Sequence, residues 1–305
     1  MHTHWPNRWN IGVALGFLAC FFLGCTQPSS SGKPKVVATI FCYFDALRAI
    51  GGDKIQPVIL LTPNTSPHEF SASMKDREAV DEARLVIKNG MGIDDWVDRL
   101  ASSSRATILD ISKDADVLNT PETPLDSATG APSKPPVNPH IWLDPLVQIN
   151  AANRIRDALI AMAPADKATF DTNAAAYIAD IQKLHEDFKT ACAAFPKKDF
   201  VGFHSAYAYL ARRYGLRQIA AIEEVPEAGL SRAQIDRVIA LIKDQHVPVL
   251  FTEDAFPAAA AEQIIQATGV QRGVLQPLET YNDINDTYVS LMRKNLEELK
   301  RTLGK

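Results

Sequence analysis

The amino-acid sequence predicts an α/β protein: two lobes with mainly parallel sheets flanked by helices, joined by one long helix. Two observations carry that prediction. Short β-branched runs alternate with helix-period segments over residues 35–165 and again over 196–305, and strands that alternate with helices build parallel sheets. Between them, residues 166–195 carry one continuous helical stripe with no strand signal. A chain of 305 residues has room for two ordinary lobes, and 46% apolar with 22% charged residues is a globular composition. The net charge of −4 offers no basic face, and no Gly-rich phosphate loop occurs, so nucleic-acid and nucleotide binding drop out.

The first segment differs in kind from the rest. Arg8 precedes an unbroken apolar run from Ile11 to Gly24, shorter than the roughly 20 residues that span a bilayer and suited to the core of a signal peptide. Residues 1–24 are therefore read as a signal peptide. The run closes on Phe22-Leu23-Gly24-Cys25, which looks like a bacterial lipobox with phenylalanine where leucine is usual. Cys25 is the expected lipidation site, and residues 25–34, rich in serine, form the lipidated tether. An ordinary cleaved signal with a chance cysteine is the competing reading. Of the four cysteines, Cys20 falls in the signal and Cys25 is the anchor, which leaves Cys42 and Cys192 in the body. Cys42 is placed at the end of a strand and Cys192 near the end of a distant helix, so two separate buried thiols are expected. No CxxC or CxxH spacing indicates a thiolate zinc site.

The N-terminal lobe, 35–165, takes strands at Val36–Ile40, Val58–Leu61, Leu85–Ile87 and Ala106–Leu109, with helices around Tyr43–Ile50, Ser73–Ala83 and Asp94–Ser102. Lys113–Val137 is a polar, proline-rich loop without periodicity and without histidine. Leu146–Met162 is an amphipathic helix that Pro164 ends. The linking helix, 166–195, has apolar residues at Phe170, Ala174, Tyr177, Ile178, Ile181, Leu184, Phe188, Ala191 and Cys192, and would run roughly 40 Å. Two shorter helices broken near Asp171-Thr172-Asn173 are the alternative. The C-terminal lobe, 196–305, resumes with strands at Phe200–Phe203, Gln218–Ile222, Val247–Phe251 and Gly273–Leu275, and helices at Ala206–Tyr214, Arg232–Asp244, Ala258–Thr268 and Asp286–Leu303.

In open α/β sheets ligands bind beyond the carboxyl ends of the strands, and a gap between two such lobes suits a small solute. Four residues occupy such places. His140 lies in Asn138-Pro139-His140-Ile141-Trp142-Leu143-Asp144-Pro145, on a turn stiffened by Pro139, just before a helix that Asp144 can cap. His68 follows the second strand behind Pro67. His204 is read as the last residue of the first strand of the second lobe, and Glu279 follows the last strand. Two come from each lobe, so they can converge across the cleft. Each alone has a bland reading as a structural polar residue, but together three imidazoles and one carboxylate suit tetrahedral Zn²⁺. His185 and His246 lack such placement and are expected on the surface.

From Pro34 onwards the chain resembles the metal-binding substrate-binding proteins of ABC transporters, the zinc- and manganese-type bacterial lipoproteins, some formerly described as adhesins. The matching stretches are Ser66–Phe70, Asn138–Pro145, Phe203–Tyr207, Glu227–Ser231, Phe251–Glu253, Pro277–Glu279 and the Tyr288–Leu296 segment. The resemblance implies metal ligation by His68, His140 and His204, with the fourth ligand at Glu279, where many members have aspartate. It also implies pseudo-symmetric lobes, a rigid helical spine, and delivery of the ion to a membrane permease from the extracytoplasmic side, periplasmic or cell-surface, with the protein held to the membrane through Cys25. No enzymatic activity and a monomer are expected. Manganese-type members tend to place a carboxylate where this chain has His204, so zinc is the expected cargo, with Mn²⁺ as the alternative. Zinc-type members often carry a His-rich loop before the second ligand, and here Lys113–Val137 has no histidine.

Imidazoles bind metal only when deprotonated, so capture should weaken as pH falls through about 6.5. Glu69, Asp144, Glu253 and Asp254 are the candidates to orient the ligands from behind. A continuous inter-lobe helix resists wide hinge opening, so small loop motions are expected. The rival from another class is a secreted zinc hydrolase with Glu69 or Glu253 as general base, disfavoured because no HExxH helix occurs and a fourth protein ligand closes the site. A surface adhesin with no transport role is a third reading, under which a buried metal cleft would lack a purpose.

Overall fold

The computed structural model describes residues 32–113, 115, 116, 118, 137–222, 231–254 and 259–305. The proposed signal and Cys25, most of the Lys113–Val137 loop, and Glu227–Leu230 lie outside the described residues. Lys33–Lys305 forms one compact unit.

Near-continuous apolar strands need cover on both faces, and parallel sheets give it. Four parallel strands make the first sheet: β1 (Lys35–Ala38), β2 (Gln56–Ile59), β3 (Leu85–Lys88) and β4 (Thr107–Asp110), in the order β2-β1-β3-β4. Helices α1 (Phe41–Gly51), α2 (Met74–Asp81) and α3 (Trp96–Ala101) connect them. Ser73 starts α2 with a capping box to Asp76. Then come α4 (Pro145–Met162), capped by Asp144 with Pro145 at its first position, and α5 (Lys167–Ala194). The second sheet repeats the pattern with β5 (Asp199–Gly202), β6 (Arg217–Ala221), β7 (Val249–Thr252) and β8 (Gln271–Val274) in the order β6-β5-β7-β8, again all parallel. Its helices are α6 (Ala208–Tyr214), α7 (Arg232–Gln245), α8 (Ala259–Thr268) and α9 (Tyr288–Leu303). The identical strand order makes the two sheets topological copies.

Helix α5 is unbroken through Asp171-Thr172-Asn173 and has 28 residues, about 42 Å at 1.5 Å per residue. Its buried stripe of Phe170, Ala174, Tyr177, Ile181, Leu184, Phe188 and Cys192 joins a single core containing Val36 and Ile87 of the first sheet and Phe200 and Phe251 of the second. One core therefore runs through both lobes. Helix α9 follows β8 in sequence yet starts against the first lobe, where Tyr288 N–H donates to buried Asp45 of α1 at 2.9 Å.

Two expectations need correction. Cys42 lies inside α1, not at a strand end, because Ile40 already has the extended backbone of an N-cap and the helix begins at Phe41. Cys42 and Cys192 are nonetheless free and buried. His185 is half-buried on α5, its Nδ1 3.0 Å from the Tyr214 hydroxyl. His246 is exposed, as expected, and ends α7 in the left-handed conformation at φ 52°.

Candidate metal centre

Both sheets present their carboxyl ends to one place. At the end of the first sheet, buried Asp94 accepts from the Thr39 hydroxyl at 2.6 Å and from the N–H groups of Asn89 and Gly90 at 2.6 and 2.8 Å. Asn89 in turn accepts from the Tyr43 hydroxyl at 2.7 Å and donates to the Pro139 carbonyl at 2.9 Å. The point between β1 and β3 where the strand order reverses thus fixes the backbone before His140. His68 sits in the β2–α2 loop, its N–H bonded to Ser66 Oγ at 3.2 Å.

In the second lobe His204 lies two residues beyond β5 and not at its last position, since the strand ends at Gly202. The turn is held by Gln218 of β6, whose Nε2 donates to the His204 carbonyl at 2.8 Å while its Oε1 accepts from Tyr207 N–H at 3.1 Å. Gly202 makes room for this side chain: a Cβ there would lie 2.5 Å from Gln218 Nε2 and 2.9 Å from the His204 carbonyl oxygen.

Glu279 follows β8, but its loop is fastened to the first lobe. Its carbonyl accepts from Phe41 N–H at 3.3 Å, the Thr280 hydroxyl donates to the Thr62 carbonyl at 3.2 Å, and Tyr281 stacks on Phe41 at 5.4 Å. Trp142 Nε1 donates to the Pro277 carbonyl at 2.7 Å. Two donors thus follow strands of each sheet, and the Glu279 loop of the second lobe is in addition fastened to the first.

One ligand atom from each of His68, His140, His204 and Glu279 falls within 4.8 Å of the others. Glu279 Oε1 lies 2.8 Å from His140 Nε2, 3.1 Å from His204 Nε2 and 3.4 Å from His68 Nε2, and the His140 and His204 Nε2 atoms are 3.2 Å apart. Donors about 2.0–2.1 Å from a tetrahedral zinc would be about 3.3 Å apart, near these four separations, with every pair within 4.8 Å. His140, His204 and Glu279 are 2%, 0% and 0% exposed. His68 Nε2 and Glu279 Oε2 are buried without a hydrogen-bond partner, a costly state unless something else satisfies them.

Electrostatics separates the histidines. Burial pulls His140 down to about 4, although Glu279 opposes it. Burial acts the same way on His204, but the carboxylates of Glu253 and Glu279 outweigh it and push this ring up to about 10. Glu279 is held well below the usual carboxylate range: burial opposes this, and His204, His68 and the contact with His140 prevail. Burial raises Glu253, opposed by His204. The pair's proton belongs on His204, whose ring meets Glu253 at 2.6 Å on Nδ1 and Glu279 at 3.1 Å on Nε2.

Of the four orienting candidates, Glu253 bonds a ligand ring. Asp144 instead caps α4 and pairs with Arg213 at 2.7 Å. Glu69 is exposed and bonds none of these rings, and exposed Asp254 accepts from Gln276 at 2.7 Å. Alternation of side chains past a strand end is not regular, so neighbours in sequence diverge. Sequence reasoning missed Asn138, which holds His140 Nδ1 at 2.8 Å, and Tyr207, whose hydroxyl lies 3.3 Å from Glu253. The signal available was an asparagine two residues ahead of the histidine, a spacing at which asparagine side chains bond their own backbone.

Fold and cluster together define a two-lobed α/β protein with a buried group of three histidines and one glutamate that could hold a metal ion. The chain belongs to the family described as zinc-uptake complex component A, periplasmic, whose model matches residues 36–302. It is 30% identical over 294 residues to the zinc-binding lipoprotein AdcA of Streptococcus pneumoniae (strain ATCC BAA-255 / R6), which covers 93% of this chain and 59% of that protein. The chain thus spans little more than half the length of the AdcA relatives. It is 25% identical to the high-affinity zinc uptake system protein ZnuA of Bacillus subtilis, with 93% of this chain and 95% of that protein covered. The Zn(II)-bound ZnuA-like domain of Streptococcus pneumoniae AdcA superposes with a TM-score of 0.75 at 29% identity, covering 90% of this chain and all of that one.

Proposed function

We propose that this protein captures Zn²⁺ outside the cytoplasm and hands it to an ABC permease for import. The observation that carries the reading is the convergence of His68, His140, His204 and Glu279, with two donor atoms buried and unpartnered. These four are the proposed ligands. Three imidazoles with one carboxylate oxygen favour zinc over the harder Mn²⁺, which prefers more oxygen donors. Membership of a zinc-uptake family and likeness to zinc-binding relatives support the same cargo.

A shell closed by a fourth protein donor holds an ion and leaves no position for a reacting water, so we assign no enzymatic activity. The lobes are divided at 35–165, 166–195 and 196–305, with a signal over 1–24 and a tether over 25–34 attached through lipidated Cys25. One chain supplies the whole donor set, so a monomer suffices for the proposed capture. The test is zinc-dependent growth of cells whose own copy is deleted. Restoration by the wild-type chain, and none by His140→Ala, is the expected result. Restoration by both would refute the reading.

A further inference from the structure

We propose that Asn138 is a positioning residue that selects the His140 tautomer and ties the His140 turn to the backbone bearing His204. The inference rests on the zinc-capture reading above. Asn138 is fully buried and every polar group it owns is used. Its N–H donates to the Leu118 carbonyl at 2.8 Å, and its carbonyl accepts from the Tyr209 hydroxyl at 2.8 Å. The side chain reaches in two directions. Oδ1 accepts from His140 N–H at 3.0 Å and faces His140 Nδ1 at 2.8 Å, while Nδ2 donates to the Ser205 carbonyl at 2.6 Å.

Backbone partners fix which way the amide points. A main-chain N–H can only donate and a main-chain carbonyl can only accept, so Oδ1 faces His140 and Nδ2 faces Ser205. Oδ1 has no proton to give, so the proton of that contact sits on His140 Nδ1. A neutral imidazole carries one ring proton, and Glu279 Oε1, 2.8 Å from Nε2, competes with Asn138 for it, so the Asn138 contact is what draws the proton to Nδ1 and leaves the Nε2 lone pair to a metal. Without the amide, the ring could carry its proton on Nε2 and present none of that lone pair to a metal.

The second contact crosses between lobes. Ser205 is the residue after His204, so one amide group links the turn of a first-lobe donor to the turn of a second-lobe donor. The 3.2 Å between the two Nε2 atoms is thereby set by a short, rigid link. Other side chains fill at most half of the role. Aspartate would keep the acceptor for His140 but put a carboxylate oxygen against the Ser205 carbonyl, and alanine would lose both contacts.

The experiment compares wild type, Asn138→Ala and Asn138→Asp. Long-range ¹H–¹⁵N spectra of the metal-free protein read the His140 tautomer, and chelator competition and stopped-flow release read zinc affinity and off-rate. Wild type should show His140 as the Nδ1–H tautomer. Asn138→Ala should mix the tautomers and weaken zinc by about 10–100-fold, the usual worth of a partner behind a ligand. Asn138→Asp should keep the tautomer yet release zinc faster.

Weakened binding by Asn138→Ala with an unchanged tautomer would overturn the orienting role. Wild-type release from Asn138→Asp would overturn the link between lobes. If Asn138→Ala does not fold, the tautomer and off-rate of Asn138→Asp decide both points. A wild-type protein that binds no zinc would overturn the zinc-capture reading instead, and the metal-free spectra would still decide the role of Asn138 at His140.

Discussion

Zinc capture at neutral pH should expel one proton, and that proton should come from His204. The ring is fully buried between Glu253 and Glu279, which hold its pKa at about 10. At pH 7 the metal-free site therefore contains an imidazolium. Its Nδ1 proton can stay on the ring, donated to Glu253, when zinc arrives, but its Nε2 proton occupies the lone pair the metal needs. The three pH units between 7 and about 10 make displacement cost about 4 kcal/mol, or about a thousandfold in apparent affinity. The sign follows from the raised value: the competing proton is present below about 10 and is lost as pH rises through it. Apparent affinity should climb about tenfold per pH unit between 7 and 9. His140, pulled down to about 4, adds no proton in this window. The dependence is thus displaced upwards from the range near 6.5 that free histidine implies. Calorimetry at pH 7 in buffers of different ionisation enthalpy gives the proton count as the slope of measured against buffer enthalpy. A slope of about one released proton per zinc is expected. No released proton together with an affinity flat from pH 7 to 9 would refute the reasoning.

Three further outcomes follow from the same geometry. Glu279→Ala removes the oxygen that meets all three rings, so it should weaken zinc by more than the about 10–100-fold of an outer partner; competition against a chelator checks this. Gly202→Ala forces Gln218 off the His204 carbonyl and should cost about 1–3 kcal/mol of stability by overpacking, read as a lower denaturation midpoint with weaker zinc binding. Because α5 and one shared core run through both lobes, small-angle scattering should show no resolvable change in radius when zinc is added. A clear contraction would mean that the spine bends.

The α5 spine was legible because its stripe repeats over 28 residues, long enough for periodicity to outweigh the polar Asp171-Thr172-Asn173 stretch. Element ends slipped by one or two residues, as at β5, where apolar Phe203 continues the run although pairing stops at Gly202. The four site residues were legible because strand carboxyl ends and the Pro-His turns mark them. What stayed hidden depends on which backbone group the fold brings up. Asn138 and Gln218 look like ordinary polar residues until Ser205 and His204 carbonyls are set against them. The attachment of the Glu279 loop to the first lobe depends on Phe41 meeting Tyr281 across 240 positions of chain, a contact that no local pattern announces. Glu253 was separable from Glu69 and Asp254 only by the direction each side chain takes past its strand or loop.

The most direct test of the account is an equilibrium titration of the purified protein with zinc, with manganese in parallel, repeated for His204→Ala. The account predicts one tight zinc per chain, much weaker manganese, and loss of zinc affinity in the variant. Tighter manganese than zinc, or zinc binding that survives in His204→Ala, would contradict it.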